Sequence, residues 1–149
     1  MMNDLQQLLA IEAIKRLKAR YFHCMDFKDW DGLRDVFSAE AVFDVRGALE
    51  VAIPNSVYTD PPLHGIDNIV AYIRQGLTPL VSVHYGHMPH ITLLTADTAE
   101  GIWSLEDWLY SAAGTFHGQG HYHERYVQTD QGWRIQQLRL TRLHVQSNL

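Results

Sequence analysis

Three residues could carry acid–base chemistry in this chain: Tyr21, Asp26 and His84. Tyr21 and Asp26 close the first helical run in Tyr21-Phe22-His23-Cys24-Met25-Asp26, and His84 opens a strand-rich half in Val83-His84-Tyr85-Gly86. A carboxylate holds the proton on one imidazole nitrogen, presents the other as a base and stabilises the imidazolium that forms. A phenol adds a donor that can polarise or protonate a leaving group. Together they suffice for proton abstraction or proton-assisted elimination. Each also has an ordinary alternative: Asp26 as a turn cap, His84 as a cross-strand partner, Tyr21 as core packing. A carboxylate at a helix C-terminus is disfavoured by the helix dipole, which sets Asp26 apart.

The chain has nine histidines, seven of them between positions 84 and 144. His84, His87 and His90 invite a metal reading. Strict alternation on a strand puts His84 and His90 on one face, roughly 20 Å apart, with His87 opposite. That is not a zinc spacing, and no metal is expected. The absence of a Gly-rich phosphate loop argues for no organic cofactor either. Alternation also separates His121 and His123 from Tyr122, Glu124 and Tyr126. Trp30, Trp108 and Trp133 read as packing or interface residues, and Cys24, flanked by apolar neighbours, as an inert thiol.

The elements that must position these residues follow from periodicity. Leu5, Leu8, Leu9, Ile11, Ile14, Leu17, Tyr21, Phe22 and Met25 recur at helical spacing, which predicts a helix over 4–26 with Asp4 as its N-cap. A short helix is expected over 29–37, a strand over 41–45 and a third helix over 66–77. Residues 46–63, with Gly47, Pro54, Asn55, Pro61 and Pro62, read as an irregular connection of the kind that forms lids or interfaces. After Pro79 come four strands, 81–95, 99–112, 115–129 and 133–145, joined by turn sequences such as Thr129-Asp130-Gln131-Gly132. Helices followed by long antiparallel strands are α+β grammar.

At 149 residues the chain is read as a single domain, 1–149. A net charge of −5, with no Lys/Arg cluster, argues against nucleic acid as a partner. One cysteine rules out an internal disulfide and fits a reducing compartment. No apolar run reaches the ~20 residues of a membrane span. The N-terminus lacks the pattern of a signal peptide, so the cytosol is expected.

The pattern resembles the SnoaL-like branch of the NTF2-like superfamily. Its lyase members include scytalone dehydratase, bile-acid 7α-dehydratase and hexachlorocyclohexane dehydrochlorinase. The resemblance rests on Arg20 to Trp30, on Val83-His84-Tyr85-Gly86, and on Gly120-His121-Tyr122-His123-Glu124-Arg125-Tyr126 continuing to Gly132-Trp133-Arg134-Ile135. It implies a cone-shaped barrel: a curved antiparallel sheet wrapped round the N-terminal helix, with a pocket inside. Asp26 and His84 match a dyad of those lyases, and Tyr21 matches a catalytic Tyr. Five helical residues turn through roughly 140°, so Tyr21 and Asp26 share no stripe. Both reach one pocket only if it wraps round the helix end. The resemblance further points Tyr122 inward, with Trp103, Leu105 and Asp107 on the neighbouring strand, and Phe43 as a further lining residue. His121 is the nearest candidate for a second active-site His.

The expected activity is a cofactor-independent β-elimination, dehydratase or dehydrohalogenase, on a small apolar cyclic substrate. Isomerisation or cyclisation begins with the same proton abstraction. The competing class is a non-catalytic ligand-binding or assembly subunit, as in ring-hydroxylating dioxygenase β-subunits, which needs no dyad. A homo-oligomer is expected, a trimer over a dimer. The resemblance favours that number, and Val127, Leu138, Leu140 and Leu143 read as outward apolar residues on the last two strands.

Overall fold

The computed structural model describes residues 1–52 and 60–149. Helix α1 spans Asp4–Asp26 and α2 Trp30–Arg34, followed by β1 Phe37–Asp44, α3 Arg46–Ala52, β2 Leu63–His64 and α4 Ile66–Leu77. Four long strands complete the chain: β3 Val81–Leu93, β4 Thr98–Ser111, β5 Gly114–Thr129 and β6 Gly132–Ser147. They form one curved sheet in the order β2-β1-β6-β5-β4-β3. Every pairing is antiparallel except β1 with β6, so the sheet is mixed rather than wholly antiparallel. The sheet does not close, and β2 and β3 are its two edges.

Several features differ from the expectation, among them the following three. The N-cap is Asn3, not Asp4: its side chain accepts the Gln6 amide at 2.8 Å while Gln6 Oε1 accepts the Asn3 amide at 2.9 Å. This reciprocal pair satisfies two of the donors a helix start leaves open. Helix α2 stops at Arg34, because Phe37 is already paired with Ile135 in the sheet. Within the stretch expected to be irregular, residues 46–52 form helix α3. Pro54 and Asn55 lie outside the described residues.

The inner face of the sheet holds the core. On β4 it presents Ala99, Trp103, Leu105 and Asp107, and on β5 Tyr122, Glu124 and Tyr126, all buried. Ile14, Leu17, Tyr21, Phe22 and Met25 of α1 pack into the same cluster. Burying a large apolar side chain is worth about 1.5–3 kcal/mol, so this face anchors α1 firmly against the sheet.

Register shifts in β3 and β6 set which residues face inward. Met88 adopts φ 35° and the β3–β4 register shifts between His87 and His90. Strand β3 therefore changes phase: His84 faces in, but both His87 and His90 face out, so His84 and His90 do not share a face. On β6 the register shifts opposite Arg125 and Tyr126, and Gln136 and Gln137 are both exposed. Leu138 is then fully buried and Leu140 half-buried on the inner side. Neither is the outward apolar residue expected from the sequence, whereas Leu143 does face outward, at 76% exposure.

Candidate active site

The last turn of α1 meets the first turn of β3. Asp26 is the final residue of α1, and Lys28 follows in the left-handed region at φ 61°. This turn lays the Asp26 carboxylate against the strand. Its Oδ1 accepts from His84 Nδ1 at 2.6 Å and from Ser82 Oγ at 3.0 Å, and its Oδ2 accepts the His84 backbone amide at 2.9 Å. Lys28 Nζ donates to Ser82 Oγ at 2.9 Å. The serine hydroxyl thus relays between ammonium and carboxylate. Burial raises the Asp26 carboxyl, but the bonds from His84 and Ser82 outweigh it and hold it below its ordinary value. Burial lowers Lys28, with Asp26 opposing.

With Nδ1–H donating to an ionised carboxylate, the remaining His84 nitrogen, Nε2, carries the lone pair. His84 lines a cavity of about 570 Å³ between α1, α3, α4 and the inner face of the sheet. The walls are mainly apolar, among them Met25, Phe43, Leu49, Ile73, Leu109 and Phe116. Tyr21, Asp107, Tyr122 and Arg142 supply polar groups. A second hollow of about 490 Å³ opens on the outer face, lined by His90, His123 and Arg139, away from the dyad.

The residues singled out from the sequence divide into four groups. Tyr21, His84, Phe43, Asp107 and Tyr122 line the cavity. Asp26 does not; it stands behind His84, so the helix end need not turn both Tyr21 and Asp26 toward one space. Trp103 and Leu105 are buried on the inner face but lie outside the cavity wall. Trp103 Nε1 instead donates to Tyr126 Oη at 2.9 Å, deeper in the core. His121 lies on the outer face beside His123, their rings 6.2 Å apart. The His123 ring bonds Thr141 at 3.0 Å.

Two features escaped the sequence reading. The first is Arg142, whose Nη1 and Nη2 donate to the two Asp107 oxygens at 2.7 and 2.8 Å. A guanidinium has five N–H donors, and the other three make no hydrogen bond among the described residues. Asp107 is the Cα partner of His84 across β3 and β4, which sets this forked pair beside the imidazole. The second is a fully buried ion pair, Lys18 with Glu124. Its signal was available: Lys18 interrupts the apolar stripe of α1, and Glu124 shares a strand face with Tyr122.

Tyr21 is 2% exposed, and its ring meets that of Tyr122 edge-on at 5.8 Å. Burial, then the charge of Glu124, pushes its phenol far above the ordinary value, with the Tyr122 hydrogen bond partly offsetting. Tyr21 is therefore a proton donor throughout the neutral range, not a base. Burial, then Asp29, also raises the Cys24 thiol, consistent with an unreactive side chain.

The SnoaL-like domain matches this chain over residues 6–139. The chain belongs to that family. Solved structures agree on the fold. LinA-type3 from Novosphingobium barchaimii, a hexachlorocyclohexane dehydrochlorinase, is 17% identical with a TM-score of 0.80, covering 97% of this SnoaL-like domain and 94% of its own chain. Kfla4162 from Kribbella flavida is 20% identical with a TM-score of 0.82, covering 94% and 95%. Rv3472 from Mycobacterium tuberculosis, of unknown function, is 23% identical with a TM-score of 0.79, covering 96% and 78%. Among the described residues of this SnoaL-like domain no helix is long and apolar enough to cross a membrane.

Proposed function

We propose that this SnoaL-like domain is a cofactor-independent lyase that catalyses β-elimination on a small, largely apolar, cyclic substrate. The observation that carries the reading is the 2.6 Å bond between Asp26 and His84 Nδ1 at the wall of an apolar cavity. Nε2 of His84 takes the proton next to the activating group, and Asp26 balances the imidazolium. The leaving hydroxyl or halide departs toward the donors that share the cavity wall. Tyr21 protonates a departing hydroxyl or donates a hydrogen bond to a departing halide, and the N–H groups of Arg142 that Asp107 does not occupy receive negative charge as it develops. An apolar cavity excludes water and strengthens each of these interactions. The dehydrochlorinase chemistry named for LinA-type3 is of this class and supports it. The active form is a homo-oligomer, a trimer before a dimer.

The test is turnover of a panel of cyclic alcohols and halides bearing an acidic proton next to the leaving group. His84→Ala should lose roughly 10²–10⁴-fold in rate, the span that general-base catalysis supplies. Tyr21→Phe should be milder, since Arg142 remains. A panel substrate turned over equally well by the native chain and by His84→Ala would sink the reading. The non-catalytic subunit would then be the better account.

A further inference from the structure

A lysine and a glutamate with no exposed surface sit together in the core of this domain. Taking two charges out of water is costly, and an apolar pair of similar volume is often as stable or more so. Glu124 adds to the cost, because its Oε2 has no hydrogen-bond partner among the described residues. Stability alone therefore does not account for Lys18 and Glu124.

Their surroundings do. Lys18 Nζ lies 3.5 Å from the ring centre of Tyr122, 4.0 Å from that of Tyr21 and 5.0 Å from that of Phe22. Tyr21 and Tyr122 line the cavity, and Phe22 stacks near His84 at 6.4 Å and 15°. One ammonium thus touches three rings around the dyad. A cation over an aromatic face fixes the plane of the ring, because rotation turns the electron-rich face away. An aliphatic side chain imposes no such direction. Burial lowers Lys18 to about 8, and the charge of Glu124 and its hydrogen bond oppose that shift.

We propose that Lys18, clamped by Glu124, is a positioning residue that holds the phenols of Tyr21 and Tyr122 at the cavity wall. Lys18 touches no cavity space itself. It acts on the reaction through Tyr21, and to that extent the inference rests on the lyase reading.

The discriminating variant is Lys18→Met/Glu124→Leu, which removes both charges and leaves no buried ion unpaired. Two readouts apply: tyrosine ring-flip rates by NMR, which need no substrate, and kcat with KM. The double variant should stay folded, flip Tyr21 and Tyr122 faster, and lose about tenfold or more in kcat with KM little changed, as expected for a misplaced donor. Should it fail to fold, Lys18→Met/Glu124→Gln removes both charges and keeps the shape at position 124, and is read the same way. Unchanged flip rates in a folded variant overturn the positioning role, and so does failure of both variants to fold, which marks the pair as structural. Normal kcat in the double variant, with His84→Ala dead, overturns the inference and spares the lyase reading. A native chain without turnover fails the lyase reading, and the ring-flip rates then decide the role of Lys18 alone.

Discussion

At the scale of single residues, Asp26 carries two tasks: it orients His84, and it stabilises the fold through three accepted hydrogen bonds. Its folded carboxyl is held below the ordinary value. Below that ordinary value the unfolded chain binds the proton first, so stability falls as the medium is acidified. The contribution is complete above about pH 4 and is lost as pH drops through the folded value. Asp26→Asn removes the titration. Its stability should trail the native protein at neutral pH, and the gap should narrow as pH falls below about 4, followed by chemical unfolding at several pH values. Asp26 and His84 were legible in the sequence because their types and the flanking residues resemble a known dyad. Arg142 was not, because its inward direction depends on the β6 bulge, and alternation counted from Trp133 runs out of phase there. Lys18 and Glu124 were visible as charges at inward positions, but a sequence does not reveal that two such positions, 106 residues apart, coincide.

Among the elements, strand β5 is thinned where the forked pair crosses it. At Gly118 an added Cβ would lie 1.9 Å from Arg142 Nη1 and 2.7 Å from Asp107 Oδ1. The glycine lets a side chain from β6 reach over β5 to β4. Gly118→Ala should displace the guanidinium, cost about 1–3 kcal/mol by overpacking and lower kcat. Thermal melting and turnover check both, and a variant as stable and as active as the native chain would remove Gly118 from the account. The long helix and the four last strands were read from periodicity with boundaries close to those observed. Less was legible between them. β1 begins at Phe37, inside the expected second helix, because pairing with β6 overrides a local pattern of only a few residues. Helix α3 was hidden for the same reason: at seven residues it has little periodicity to show.

For the whole molecule, the outer face of the sheet carries exposed apolar side chains. Tyr85 at 49%, Ile102 at 46% and Leu143 at 76% exposure stand on it among polar residues. Self-association through these apolar positions is expected, and light scattering at micromolar concentration should give a mass above that of one chain. A monomer would count against it. Leu138 and Leu140, expected to contribute there, do not, since the β6 bulge turns them to the core. The bulge at Met88 has a different kind of consequence. β3 is an edge strand of 13 residues, and a long edge with free amides and carbonyls is a template for aggregation. Three features spoil that template. Asp26 already occupies the His84 amide. Met88 distorts the backbone out of the extended form. Pro89, next to it, has no amide to offer. The carboxylate that orients the imidazole therefore also guards this edge of the sheet, by leaving an incoming strand no free amide to pair with at His84.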